Sequence, residues 1–116
     1  MEVIRLQETP FGQLGISSRT IAQIAERSLG ECYGVVGLRA GSRLRRALAL
    51  RRRQGVEIES SEQGIELALH VVIAYGLNLA EVAATVRSSV SYEVERQTGF
   101  EVGRVEVLID DVRGSD

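Results

Sequence analysis

Residues 64–109 read GIELALHVVIAYGLNLAEVAATVRSSVSYEVERQTGFEVGRVEVLI. In the first part Ile65, Leu67, Leu69, Val71, Ile73 and Tyr75 recur at every second position, so an extended segment puts them on one face. Tyr75-Gly76-Leu77-Asn78 reads as a turn. Asn78 with Glu81 three residues on resembles a capping box, in which the Asn side chain accepts from an orphan N–H and the Glu reaches back. Leu79, Val82, Ala83, Val86, Val90 and Val94 then follow helical spacing as one apolar stripe. Gly99 can end that helix in the left-handed conformation without steric cost. Val105, Val107 and Ile109 resume the alternation. Strand, turn, helix and strand follow, and the helix stripe and strand faces are each other's nearest dry partners.

Outward from this unit the signals are shorter. Met1 to Phe11 is mixed and polar, contains the sole proline, Pro10, and reads as a loose arm leading to a short strand through Leu14 and Ile16. Ser17 or Ser18 can cap a helix whose stripe is Ile21, Ile24, Ala25, Ser28, Leu29 and Cys32. Val35, Val36 and Leu38 form a short apolar run, read as a strand. Arg39 to Gln54 is a shift in composition, open to two readings: a short basic helix with Leu44, Ala47 and Leu48 on one face, or an insertion between strands. Val56 and Ile58 alternate with Glu57 and Glu59, as in a half-exposed strand, and Ser60 to Gly64 reads as a hairpin turn. After Ile109 the chain turns polar. The fold class expected is α+β, a two-layer arrangement of a small mixed sheet of about four strands with two main helices packed on one face. The domain is set at residues 12–112, with a basic insertion at 39–54, an arm at 1–11 and a tail at 113–116.

A chain of 116 residues suggests one domain. It buries roughly two-thirds of its unfolded surface, enough for one core. With two Phe, three Tyr and no Trp, that core is aliphatic. The net charge of −2 gives no overall basic field. All 14 basic residues are arginine, and seven of them lie between Arg39 and Arg53 with no acid among them. The rest of the chain carries seven arginines against 16 acids. Cys32 is the sole cysteine, which rules out an intramolecular disulfide and fits a reducing compartment. The first residues lack the pattern of a signal peptide. The run Leu67 to Tyr75, interrupted by His70, is far short of the ~20 residues that span a bilayer. The expected location is cytoplasmic, with any membrane contact made through a surface or a partner.

The residues offer little catalytic chemistry. A metal site needs several converging ligands, and the chain has one His and one Cys, far apart in sequence. His70 reads as a packed or edge histidine with a satisfied ring, and Cys32 as a small buried hydrophobe. Glu57 and Glu59 point to one solvated face, and Asp110-Asp111 is a second carboxylate pair. Gly12-Gln13-Leu14-Gly15 and Gly34-Val35-Val36-Gly37 read as turn chemistry rather than nucleic-acid clamps. No catalytic, metal-binding or cofactor-binding residue is nominated, and no cofactor is expected. The arginine cluster stands out: Arg43, Arg45, Arg46, Arg51, Arg52 and Arg53 are candidates for binding an anion or partner. The counter-charge would be nucleic-acid phosphate, anionic lipid or acidic protein surface. The absence of interleaved aromatics counts against stacking on single strands. Tyr92 lies opposite the apolar stripe of the second helix and is a candidate interface residue.

Gly15-Ile16-Ser17, Ile21-Ala22, Ile24-Ala25 and Gly34-Val35 resemble the opening pattern of the alkaline shock protein family, the Gls-type general stress family of bacteria. The second half matches more closely, with VVIAYG at 71–76, NLAEVA at 78–83, Val86, Val90, EVERQTG at 93–99 and Val105-Glu106-Val107. The similarity spans nearly all of Gly12 to Val112 and is a dispersed pattern of core and turn positions. It implies a small non-enzymatic α/β domain of the bacterial cytoplasm; members are linked to envelope stress, and some of them sit at the inner face of the membrane through a separate anchor protein and can associate with copies of themselves. Some members are encoded beside genes of fatty-acid metabolism. Cys32-Tyr33 stands where relatives more often have an acid and a valine, and Arg39 to Arg53 lies in a variable region. No functional residue of the family carries over. The function expected is an interaction or scaffold module of the envelope stress response; the alternative is a nucleic-acid or anionic-lipid binder using Arg39 to Arg53.

Overall fold

The structure, a computed structural model, describes residues 3–9, 12–38 and 55–114. The elements are β1 (Val3–Thr9), β2 (Gly12–Ser17), α1 (Ser18–Gly30), β3 (Val35–Leu38), β4 (Val56–Ser61), β5 (Gly64–Ala74), α2 (Leu79–Thr98) and β6 (Val102–Arg113). The result is an α+β fold, in which the described residues form a four-stranded mixed sheet, a separate β1–β2 hairpin and two helices.

β5 is the axis of the sheet. β6 runs parallel to it along its length, from Ile65 opposite Val102 to Ala74 opposite Arg113. On its other side β4 and β3 share one lane. β4 pairs antiparallel with Gly64 to Leu69, and β3 with Val71 to Ile73. β5, α2 and β6 thus form a parallel crossover, the connection a helix of this length supplies. Ile65, Leu67, Leu69, Val71 and Ile73 are buried, as the alternation predicts. They meet Ile21, Ala22, Ala25 and Leu29 of α1 and Val82, Val86, Val90 and Val94 of α2 in one core, aliphatic except for the buried Phe100. Burying each such Val, Ile or Leu is worth about 1.5–3 kcal/mol relative to leaving it exposed.

The helix ends are set by local chemistry. Ser17 Oγ accepts from the Thr20 N–H at 3.2 Å, so Ser17 rather than Ser18 caps α1. Asn78 Oδ1 accepts from the Glu81 N–H at 3.0 Å at the start of α2. Gly99 closes α2 at φ 77°, with its N–H donating to Glu95 O at 2.9 Å. Just before it, the buried Thr98 hydroxyl donates to Val94 O at 2.7 Å and accepts from the Phe100 N–H at 3.0 Å. Glu95 Oε2 accepts from the Val102 N–H at 2.9 Å, tying the helix end to β6.

Several expectations change. Val3–Thr9, read as part of a loose arm, is a strand paired with Gly12–Ser17. The Gly12–Gly15 string accordingly lies inside β2 rather than in a turn. Tyr75, counted with the β5 face, lies past the strand end and is exposed. The α2 stripe keeps its valines, but Leu79 is exposed in the first turn. Cys32 lies beyond the end of α1, half-buried, its thiol donating to Ser28 O at 3.3 Å. The polar residues after Ile109 are not all tail. β6 continues to Arg113 because a bulge at Asp110 absorbs one residue and restores pairing with β5.

Candidate interaction surfaces

The sheet face away from the helices gathers seven titratable side chains. Glu57 and Glu59 come from β4, Glu66 and His70 from β5, and Arg104, Glu106 and Asp110 from β6. The registers Glu57–Ala68–Glu106 and Glu59–Glu66–Arg104 place them in rows. His70 ties the three strands together. Its Nε2 lies 3.0 Å from Glu57 Oε2 and its Nδ1 3.1 Å from Asp110 Oδ2. The ring thus has a partner on both sides, as expected, though His70 lies on the central strand rather than at an edge. Among the described residues no group of three or more His, Cys, Asp or Glu is placed to hold a metal ion. With five carboxylates around Arg104 and His70, this face repels polyanions.

The helical side carries a different surface. Tyr33, in the turn after α1, and Tyr92, on the outer face of α2, line one groove with Ser28, Cys32, Thr85 and Ser89. Tyr33 is 79% exposed and Tyr92 63%. Burial pushes the Cys32 thiol above its ordinary range, with the Ser89 hydroxyl pulling the other way. Glu93 also lines the groove, and its Oε1 accepts from Arg96 at 2.7 Å and from Gln97 at 3.1 Å. Both hydrogen bonds hold the Glu93 carboxyl below its usual range.

Of the nominated residues, Tyr92 is described and exposed, while Arg43, Arg45, Arg46, Arg51, Arg52 and Arg53 lie outside the described residues. The positions flanking the basic segment are described. Leu38 pairs opposite Val71, and the Gly55 carbonyl accepts from the neighbouring His70 N–H at 2.8 Å. Leu38 and Gly55 thus meet adjacent residues of β5. From the sequence Tyr33 stands out only as a departure from the family pattern, not as a surface residue, and His70 is not joined to its carboxylates. Tyr33 sits in a turn with no periodicity to mark it, and His70 meets its carboxylates only through strand pairing.

This two-layer domain, with its open carboxylate face and tyrosine-flanked groove, has the sequence of an envelope-related protein class. Residues 6–114 match the alkaline shock protein 23 family, described by its cell envelope-related function. The chain belongs to that family, as the dispersed core and turn pattern had implied. It is 30% identical over 110 residues to the uncharacterized protein YloU of Bacillus subtilis (strain 168), covering 90% of this chain and 92% of that protein. It is 27% identical over 110 residues to the uncharacterized protein Spy1614 of Streptococcus pyogenes serotype M6, covering 90% and 91%. With the uncharacterized protein YqhY of Bacillus subtilis (strain 168) the identity is 23% over 106 residues, covering 89% and 78%. No solved structure gives a significant match. Among the described residues no helix is long and apolar enough to cross a membrane.

Proposed function

We propose that the chain is a non-enzymatic interaction or scaffold module of the envelope stress type, binding copies of itself and a membrane-held partner at the inner face of the membrane. The observation that carries this reading is the pair of exposed tyrosines flanking the α1–α2 groove. Tyrosine offers a large, stiff, amphipathic contact at low entropic cost, which is why it concentrates in binding hot spots. The groove between them is lined by the hydroxyls of Ser28, Thr85 and Ser89, which can donate or accept, and by the carboxylates of Glu31 and Glu93, which accept. The test has two parts: sedimentation over a wide concentration range, and capture of envelope proteins with the native chain compared with a Tyr33→Ala/Tyr92→Ala variant. Concentration-dependent association, together with an envelope partner lost in the variant, supports the reading. A strict monomer with no envelope partner overturns it.

A second reading rests on the basic segment with its seven arginines, whose described flanking residues Leu38 and Gly55 meet adjacent residues of β5. Because the adjacent open face is acidic, an anion would have to be held by the segment itself. Binding to nucleic acid or to anionic vesicles that falls steeply with salt, and is lost when Arg51, Arg52 and Arg53 are made neutral, would favour it. Silence at low salt removes it.

A further inference from the structure

The two long edges of the sheet differ in how they would meet a copy of themselves. Among the described residues β6 pairs with β5 alone, so one side of a 12-residue strand has no neighbour. Such an edge is a template for another strand unless charge, proline or distortion spoils it. Its helix-side residues Val105, Val107 and Ile109 are only half-buried, packed at the margin of the core. Bulges at Gly103 and Asp110 bracket the regular run Arg104–Ile109.

We propose that a second copy of this chain pairs antiparallel along the outer edge of β6, about a twofold axis through Val107. In that register Val105 faces Ile109 of the partner subunit and Glu106 faces Leu108 of the partner subunit, while Arg104 meets Asp110 of the partner subunit at the bulge that ends the regular run. The half-buried apolar row is then continued by its own copy, and each chain contributes one Arg–Asp pair on the open face. Opposite charges directly across strands stabilise pairing, and like charges oppose it. A slide of two residues is the smallest that keeps every side chain on its face. In one direction it sets Glu106 against Glu106 of the partner subunit, and in the other against Asp110 of the partner subunit. The twofold makes the contact close on itself rather than propagate. The β4 edge behaves oppositely. A self-pairing centred on Ile58 sets Glu57 against Glu59 of the partner subunit, and a slide of two residues either way brings Glu57 or Glu59 against itself. The carboxylates of β4 guard one edge, while the residues of β6 suit the other to its copy.

This proposal rests on the reading of the chain as a self-associating scaffold and adds the surface and the register. The test is sedimentation equilibrium of the full chain with folding checked by circular dichroism. Arg104→Asp alone places Asp against Asp110 and weakens association about tenfold or more. Asp110→Arg alone places Arg against Arg. An equimolar mixture of the two variants restores both pairs, so association returns as a mixed dimer. Because Asp110 also contacts His70, a second measurement avoids mutation. Amide exchange of the native chain slows across Arg104 to Ile109 as concentration rises, and stays constant across Val56 to Ser61. Association unaffected by Arg104→Asp, with no slowing in β6, overturns the β6 interface and leaves the scaffold reading standing on another surface. A strict monomer overturns both.

Discussion

His70 Nε2 lies 3.0 Å from Glu57 Oε2, across the seam between β5 and β4. The same ring reaches Asp110 on β6 at 3.1 Å, so one half-buried side chain bridges all three strands of the sheet's open face. Substituting His70 removes both contacts and leaves two carboxylates converging on the vacated space. His70→Ala is expected to cost about 1–2 kcal/mol, read as a lower urea midpoint with an unchanged slope. His70→Gln, which can still meet one carboxylate, is expected to fall between the two. A His70→Ala midpoint equal to that of the native chain would show that the bridge contributes nothing to stability.

A second relationship fixes how β6 enters the sheet. Gly64 has a φ of 116°, and a Cβ there would collide with the Glu101 carbonyl oxygen. A Cβ on Gly103 would stand 2.5 Å from the Gln63 carbonyl oxygen. Both obstacles are backbone, so no side chain can swing away. Gly76, at φ 99°, has open space around it and carries only the conformational penalty. Gly64→Ala is therefore expected to cost about 2–3 kcal/mol, and Gly76→Ala about 1 kcal/mol. The order of the two denaturation midpoints is the check.

α2 begins where Asn78 accepts from Glu81, and the rest of that helix is anchored by four valines and Thr98. Asn78→Ala leaves an N–H without its acceptor at an exposed terminus and is expected to cost about 1 kcal/mol. Asn78→Asp and Asn78→Ser keep an acceptor and should restore most of it. Val90→Ala, at a site with no solvent exposure, should cost about 2 kcal/mol or more, because transfer and cavity terms add.

How much of this was legible can be followed along α2 and β5. Asn78, the valines and Gly99 announced the second helix because caps and periodicity act within a few residues of one another. The β5 face was legible for the same reason, up to Tyr75, where the turn began one residue earlier than the alternation suggested. Strand order was not legible. That β3 and β4 share a lane, and that β6 lies parallel on the other side, depends on contacts between residues tens of positions apart. The His70 cluster inherits that limit: Glu57, His70 and Asp110 meet only after the registers are set. Tyr92 could be placed on the outer face of its helix from spacing alone, whereas Tyr33 joined it only once α1 and α2 had packed.

Tyr33 and Tyr92 are exposed, so their removal should separate stability from association. Tyr33→Ala and Tyr92→Ala are each expected to leave stability within about 0.5 kcal/mol, since neither side chain is part of the core. Partner binding is expected to fall in each, and more than additively if both rings grip one docked segment. Equal losses of binding and of thermal stability would point instead to a structural role.

Cys32 gives a pH dependence with a definite sign. Burial raises its pKa, so the folded chain holds the thiol proton more tightly than the unfolded chain does. Below the ordinary thiol range, about 8.5, both states are protonated and the group contributes no pH dependence. As pH rises through that range the unfolded chain releases its proton first, and the stability of the folded state falls. Two measurements check this. Alkylation of the folded chain by iodoacetamide should show a pH midpoint above that of the urea-unfolded chain. Cys32→Ala should lose part of the decline in stability between pH 8 and 10 that the native chain shows. Identical alkylation midpoints in the folded and unfolded chains would mean that the half-buried site at the end of α1 leaves the thiol as solvated as it is in the unfolded chain.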